Sequence, residues 1–256
     1  EPLMMGPARR RMLALGLLCG LLPLQAWADF PGTIARVKQS VVAVGTYVPV
    51  GSPRFRFLGT GFVVGDGNRV VTNAHVLASV PEGSDEKLVI ALPGSGRVVA
   101  RPVRREAADP DHDLALLRFD GPPLPALSLG DSNSVREGQD VAITGFPLGG
   151  SIGIVPVTHK GIVSALTPVG QPLASAQQLD SKTLRRLSVG SYTVLQLDIV
   201  SYPGNSGSPL YDPGSGEVLG ILNMVFVKGS KESALTNPSG ISYAIPVSFL
   251  KALIGP

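Results

Sequence analysis

Between residues 40 and 120 the hydrophobic positions fall in short runs rich in β-branched residues: 41–48, 61–64, 70–72, 88–92, 98–103 and 114–119. Each is bounded by Gly, Pro, Asp or Asn, which predicts strands rather than helices. Six short strands at this spacing predict a small closed or nearly closed sheet. Gly121-Pro122-Pro123-Leu124-Pro125 cannot continue a strand, because proline has no amide donor, and it is expected to be a linker. A second set follows at 140–145, 154–159, 161–166, 193–199, 210–211 with 218–227, and 240–245. Two consecutive sets of this size predict an all-β protein of two six-stranded antiparallel β-barrels packed side by side, at about 33–122 and about 126–250. Helical turns are predicted only at 33–39, just after His75 (75–80), at 174–187 (Leu179, Thr183 and Leu187 at helical spacing) and at 247–254, an amphipathic stretch near the end.

Composition adds a compartment. Hydrophobic residues make up 44% and charged residues 16%, so most of the chain has enough apolar surface to build a core. Residues 1–28 read as a secretory signal. Arg9-Arg10-Arg11 is a basic start, 12–24 is apolar but too short for a comfortable membrane span, and Ala26-Trp27-Ala28 is an A-x-A cleavage site. The mature chain, 29–256, is expected to begin near Asp29 and to reside in the periplasm or outside the cell. The single cysteine of the sequence, Cys19, lies in the signal, so no disulfide is expected in the mature chain. The signal also carries three arginines and one glutamate, so the formal charge of +3 falls by two on its removal. The basic balance is therefore no argument for nucleic-acid binding.

The chemistry is concentrated in three fragments. Pro203-Gly204-Asn205-Ser206-Gly207-Ser208-Pro209-Leu210 presents a serine between glycines, in a turn tight enough to expose its hydroxyl. Val71-Thr72-Asn73-Ala74-His75-Val76 places a histidine where a strand gives way to a helical turn, at a barrel rim. Asp113-Leu114-Ala115-Leu116-Leu117 opens an apolar strand with a carboxylate that can be buried beside that histidine. A serine hydroxyl needs a base, the base needs a carboxylate to fix its tautomer, and a tetrahedral oxyanion needs backbone amides. Ser206, His75 and Asp113 are the expected catalytic residues, and the amides of Gly204, Asn205 and Ser206 the expected oxyanion donors. The order His, Asp, Ser is that of chymotrypsin. Taken alone, each fragment has a plain reading: a Gly-Ser-Pro surface turn, a strand-end histidine, a strand-start cap. Asp109 and Asp111 are expected to be turn residues, His112 to be solvated, and His159 to be a surface or turn histidine. Asp109, Asp111, His112 and Asp113 lack the ladder and closing glutamate of a calcium loop, so neither metal nor cofactor is expected.

These fragments resemble the chymotrypsin-like serine peptidases, and most closely the HtrA/DegP type. Further segments carry the resemblance: Gly59-Thr60-Gly61-Phe62 before the histidine, Ala142-Ile143-Thr144-Gly145-Phe146-Pro147-Leu148-Gly149 at the start of the second barrel, Gly161-Ile162-Val163-Ser164-Ala165-Leu166 before a regulatory loop, and Ile241-Ser242-Tyr243-Ala244-Ile245-Pro246 closing the specificity pocket. The resemblance implies an endopeptidase acting on unfolded or extended polypeptides, with homo-oligomeric assembly. It places Val200 at the base of the S1 pocket, Met224 and Tyr243 on its walls, and the substrate backbone along Asn223, Met224 and Val225. A pocket of that kind implies small or medium apolar P1 residues. Members of this type carry PDZ domains after the protease; with the sequence ending at Pro256, a protease domain lacking them is expected. Ser208 stands where the HtrA type usually has glycine, a spelling shared with glutamyl endopeptidases, and the stretch 167–192 is long for the regulatory loop.

Two other functions fit the same residues. One is a catalytically silent peptide-binding or chaperone module on the same fold. The other is an esterase for small molecules, since the acyl-transfer chemistry is shared.

Overall fold

The computed structural model describes residues 29–48, 50, 53–78, 80, 86–93, 99–147, 154–169, 192–223 and 241–255. The expected signal at 1–28, the helix at 174–187 and most of the long stretch 167–192 lie outside them, as do Met224 and Val225.

A helix, α1 (Phe30–Lys38), leads into β1 (Val41–Tyr47), β2 (Phe55–Val64) and β3 (Arg69–Asn73). A single helical turn, α2 (Ala74–Leu77), precedes β4 (Lys87–Leu92), β5 (Val99–Pro102), β6 (Arg104–Asp109) and β7 (Leu114–Arg118). These seven strands form one curled sheet in the order β5-β4-β1-β2-β3-β7-β6. The sequence reading of one strand at 98–103 is corrected here. The run continues to Asp109 but changes partner at Val103, whose amide donates to Leu88 O at 3.0 Å. Before that residue the chain pairs with β4, and after it with β7. Pro102, with no donor to offer, sits at the switch. The two edges of the sheet are therefore consecutive pieces of one chain, which is how six predicted runs become seven strands. The strand predicted at 61–64 also begins earlier, at Phe55, because Phe55 and Phe57 alternate with Arg54 and Arg56 and pair with β1.

The second sheet contains β8 (Asp140–Gly145), β9 (Val157–Val169), β10 (Tyr192–Asp198), β11 (Pro209–Tyr211), β12 (Val218–Asn223) and β13 (Ile241–Pro246). It closes as a six-stranded barrel in the order β10-β13-β12-β11-β8-β9. The two strands expected at 154–159 and 161–166 are one. Its first half pairs with β8 and its second with β10. Gly161 allows the bend between them, since a Cβ there would run into Asp198 O. The C-terminal helix α3 (Val247–Ile254) forms where the sequence placed it.

The period-two pattern explains how the sheets meet. Val42, Val44, Val63, Val70 and Leu117 point into the interior of the first sheet. Their neighbours Val41, Ala43, Phe62, Val64, Val71 and Leu116 point the other way, into a cluster shared with Ala142, Phe146, Tyr211, Val218, Ile221 and Ile245 of the second sheet. Val37 of α1 and Val247 and Leu250 of α3 complete that cluster. Val141, Ile143, Val163, Leu195, Leu197 and Leu222 fill the second barrel. β1, β3, β7 and the second half of β2 are buried on both faces, which is why they read as continuous apolar runs, whereas the edge strands β5 and β6 are partly exposed. Among the described residues no helix is long and apolar enough to cross a membrane.

A core shared between both sheets couples their unfolding. Leu116→Ala, in that shared cluster, is expected to cost about 2–5 kcal/mol. Urea denaturation followed by circular dichroism should still show one transition rather than two.

Candidate active site

Strand pairing brings the histidine and aspartate together. Asn73 pairs with Leu114 across β3 and β7, so the residues just outside that pair, Ala74 and Asp113, face each other. Ala74 N donates to Asp113 O at 3.0 Å, and the buried Asn73 Nδ2 donates to the same oxygen at 3.1 Å. Asp113 has φ 55°, the one non-glycine residue in the left-handed region among the described residues. Such a conformation costs on the order of 1–3 kcal/mol and persists only when its surroundings hold it. Here it turns the carboxylate back onto α2. The His75 amide donates to Asp113 Oδ1 at 2.8 Å, and His75 Nδ1 lies 2.6 Å from Oδ2. With the carboxylate ionised, Nδ1 carries the proton and Nε2 is left as an acceptor. Ser206 Oγ lies 3.0 Å from Nε2 and can donate to it.

Ser206 follows a 3-10 turn, Pro203–Asn205. Gly207 has φ 88°, and a Cβ there would strike Thr60 O. The turn is tied to both sheets. Thr60 N on β2 donates to Ser206 O at 2.9 Å, and Gly207 N donates to Leu222 O on β12 at 3.0 Å. Thr60 Oγ1 donates to Gly204 O at 2.8 Å and accepts from Phe146 N at 3.0 Å. The Asn205 amide donates to Tyr202 O at 2.8 Å, and the Ser206 amide to Pro203 O at 3.3 Å. His75 is 31% exposed at its side chain and Asp113 23%, while Ser206 is 3% exposed as a residue.

The structure brings His75, Asp113 and Ser206 into one line, as expected from sequence. It adds a partner the sequence reading missed. Asn223 Nδ2 donates to Asp113 Oδ2 at 2.7 Å, so a residue expected only to lend its backbone also braces the carboxylate. Its position at the end of a fully buried strand was the available signal, because a buried amide side chain must find partners. Thr60 was missed in the same way: it was read as part of a motif, whereas its hydroxyl joins the two sheets. Tyr243 pairs with Asn223 across β12 and β13. Val200, just past β10, is 44% exposed, and beside it the buried hydroxyls of Ser201 and Ser242 are in hydrogen-bond contact. Two histidine expectations are corrected. His112 is not a freely solvated ring: its Nδ1 lies 2.6 Å from Asp109 Oδ2 and its ring stacks on Phe249. His159 is a half-buried residue inside β9 opposite Ile143, and burial pushes its imidazole below the usual histidine range. Among the described residues no group of three or more His, Cys, Asp or Glu is arranged to hold a metal ion.

A proton acceptor held between a carboxylate and a serine hydroxyl, at the seam of two antiparallel β sheets, is the geometry of the chymotrypsin-like class. The chain belongs to the trypsin-like peptidase domain family, whose model, described as "Trypsin-like peptidase domain", matches residues 59–221. It is similar to proteins named "Probable periplasmic serine endoprotease DegP-like". The one from Halomonas elongata is 34% identical over 194 residues, covering 75% of this chain and 33% of that protein. Another, from Pseudomonas putida, is 32% identical over 191 residues, covering 74% and 32%. The chain thus spans about a third of the length of these curated relatives. Among solved structures it is similar to "HtrA-type protease AlgW with tripeptide", with TM-score 0.59, 26% identity, and coverage of 86% of this chain and 60% of that one. It is also similar to Deg5, with TM-score 0.61, 25% identity, and coverage of 87% and 90%.

The double role of Thr60 is testable without any assay of activity. Thr60→Val keeps the volume but leaves Gly204 O and Phe146 N without their partner, at about 1–3 kcal/mol for each buried group. Thr60→Ser should retain most of the lost stability in urea unfolding.

Proposed function

We propose that this chain is a serine endopeptidase that cleaves extended segments of polypeptide in the periplasm. The observation that carries the reading is the continuous path from Ser206 Oγ through His75 to Asp113, at 3.0 Å and 2.6 Å. His75 Nε2 takes the Ser206 proton as Oγ attacks the scissile carbonyl. The imidazolium that forms is stabilised by Asp113, which remains ionised. His75 then gives the proton to the leaving amine, and water repeats the sequence on the acyl-enzyme.

The oxyanion donors proposed are the amides around Ser206. The Asn205 amide is engaged at 2.8 Å with Tyr202 O, whereas the Ser206 amide makes a longer contact of 3.3 Å with Pro203 O. An oxyanion would compete with that carbonyl for the Ser206 amide, leaving Gly204 and Ser206 as the better pair of the three. The substrate is proposed to add as a strand beside Asn223, with its P1 side chain against Val200 and Tyr243. Those walls bring no charge, so small or medium apolar P1 residues should be preferred. The periplasmic location is supported by the names of the relatives and by the signal-like character of 1–28.

A fluorophosphonate probe should label the purified protein and fail to label Ser206→Ala; an unlabelled wild type would overturn the reading. Turnover of casein, rather than of small esters alone, separates a peptidase from an esterase. His75→Ala and Ser206→Ala should each lose on the order of 10⁴-fold or more in kcat, because the three groups act as a unit. Asp113→Asn should fold, since asparagine tolerates a left-handed backbone, yet lose on the order of 10⁴-fold through the wrong imidazole tautomer. A peptide library varied at P1 checks specificity, and preferred cleavage after Lys, Arg or Glu would sink the apolar assignment.

A further inference from the structure

We propose that His112 is a positioning residue for Asp113, and that its stack on Phe249 of α3 fastens the acid loop to the half of the molecule that carries Ser206. This rests on the catalytic reading of His75, Asp113 and Ser206 given above. Asp113 sits at φ 55°, so something must prevent residues 109–113 from relaxing. Asp109 begins that restraint. Its Oδ1 accepts from Asp111 N at 3.1 Å and from His112 N at 3.2 Å, while Oδ2 lies 2.6 Å from His112 Nδ1. These bonds shape the loop but do not fix it to anything outside itself.

Asn73, Ala74, His75 and Asn223 hold Asp113 itself from outside the loop; the residue before it is anchored by the His112 ring. It lies face to face with Phe249 of α3, with centroids 3.8 Å apart and planes 19° apart. The Tyr192 ring, at the start of β10, meets the same imidazole edge-on at 4.8 Å, and Tyr192 and Phe249 meet each other at 5.4 Å. The imidazole is 17% exposed at its side chain. Phe249 and Tyr192 both belong to the half of the molecule that carries Ser206. The residue immediately before the catalytic acid is thus clamped to the half that carries the nucleophile. Asn223 braces the Asp113 carboxylate directly from that same half, at 2.7 Å, and His112 braces its backbone. A carboxylate displaced by even about 1 Å would align the imidazole poorly, a loss on the order of 10²-fold.

The test uses the whole protein with His112→Ala, His112→Phe and Phe249→Leu. The phenyl ring of His112→Phe keeps the stack and gives up the bond to Asp109. Phe249→Leu keeps an apolar contact with the core and guards against misfolding of the alanine variant. Two readouts are taken: kcat and KM on a peptide substrate, and the NMR signal of the His75 Nδ1 proton in its bond to Asp113, which needs no turnover. In His112→Ala and Phe249→Leu, kcat should fall about 10- to 100-fold with KM within about twofold. The His75 Nδ1 proton signal should shift as the carboxylate loses its alignment with the ring, and His112→Phe should restore both. An unchanged His75 Nδ1 proton signal and kcat in His112→Ala would overturn the proposal, as would a His112→Phe protein as impaired as His112→Ala. If the wild type is not labelled by a fluorophosphonate, the peptidase reading falls, and the His75 Nδ1 proton signal still decides whether His112 positions Asp113.

Discussion

Everything in the site hangs on how one carboxylate is held. Asp113 faces His75 from its own sheet and receives Asn223 from the other. Its backbone occupies a conformation that an isolated strand start would not choose. Four groups secure it: the His75 amide on Oδ1, Asn223 on Oδ2, and Ala74 N and Asn73 Nδ2 on its carbonyl. Three belong to the β3–α2 corner and one to β12. The carboxylate therefore reports on the relative placement of the two sheets, and a shift of either would misalign the imidazole.

That placement is set by hydrophobic packing. The cluster shared between the sheets contains Phe62, Leu114, Leu116, Phe146, Tyr211, Ile221 and Ile245, all essentially buried. It lies directly behind the turn carrying Ser206, since β2 supplies both Phe62 to the core and Thr60 to the turn. Packing is non-directional and cannot by itself fix an angle at the site. The directional part comes from a few hydrogen bonds crossing the seam: Thr60 N to Ser206 O, Thr60 Oγ1 to Gly204 O, Phe146 N to Thr60 Oγ1, and Asn223 to Asp113. The core brings the two halves together, and these bonds set their register.

Most of the strands and the three residues proposed as catalytic were legible because each is local. Val41, Val42, Ala43 and Val44 spell a doubly buried strand without reference to anything distant. Ser206 and His75 announce themselves by their flanking residues. The features that escaped are those whose partners lie far away in sequence. Asn223 and Asp113 are 110 residues apart, and Thr60 and Gly204 are 144 apart. The change of partner at Val103 escaped for a similar reason: the residues beyond it, Arg104-Arg105-Glu106, carry no apolar pattern, and only their pairing with β7 makes them a strand. His112 was read as solvated since its sequence neighbours are acidic. Its ring is covered by Phe249 and Tyr192, which no local pattern could place there.

The same reasoning orders the peptides around Ser206 by how firmly each is fixed. The carbonyl of Gly204 is held by Thr60 Oγ1 at 2.8 Å, and that of Ser206 by Thr60 N at 2.9 Å. Asn205 O accepts from Ser208 N at 2.9 Å. All three are good geometries. Pro203 O is different: its contact within the turn is the 3.3 Å bond from Ser206 N. Proline supplies no amide of its own to stiffen the segment from the other side. The peptide joining Pro203 to Gly204 is therefore the least restrained of the set, and its carbonyl is the one that holds the Ser206 amide. A turn anchored at Gly204 O and Ser206 O can exchange that single weak bond without disturbing the hydroxyl, whose position is fixed by Thr60 and Leu222 on either side.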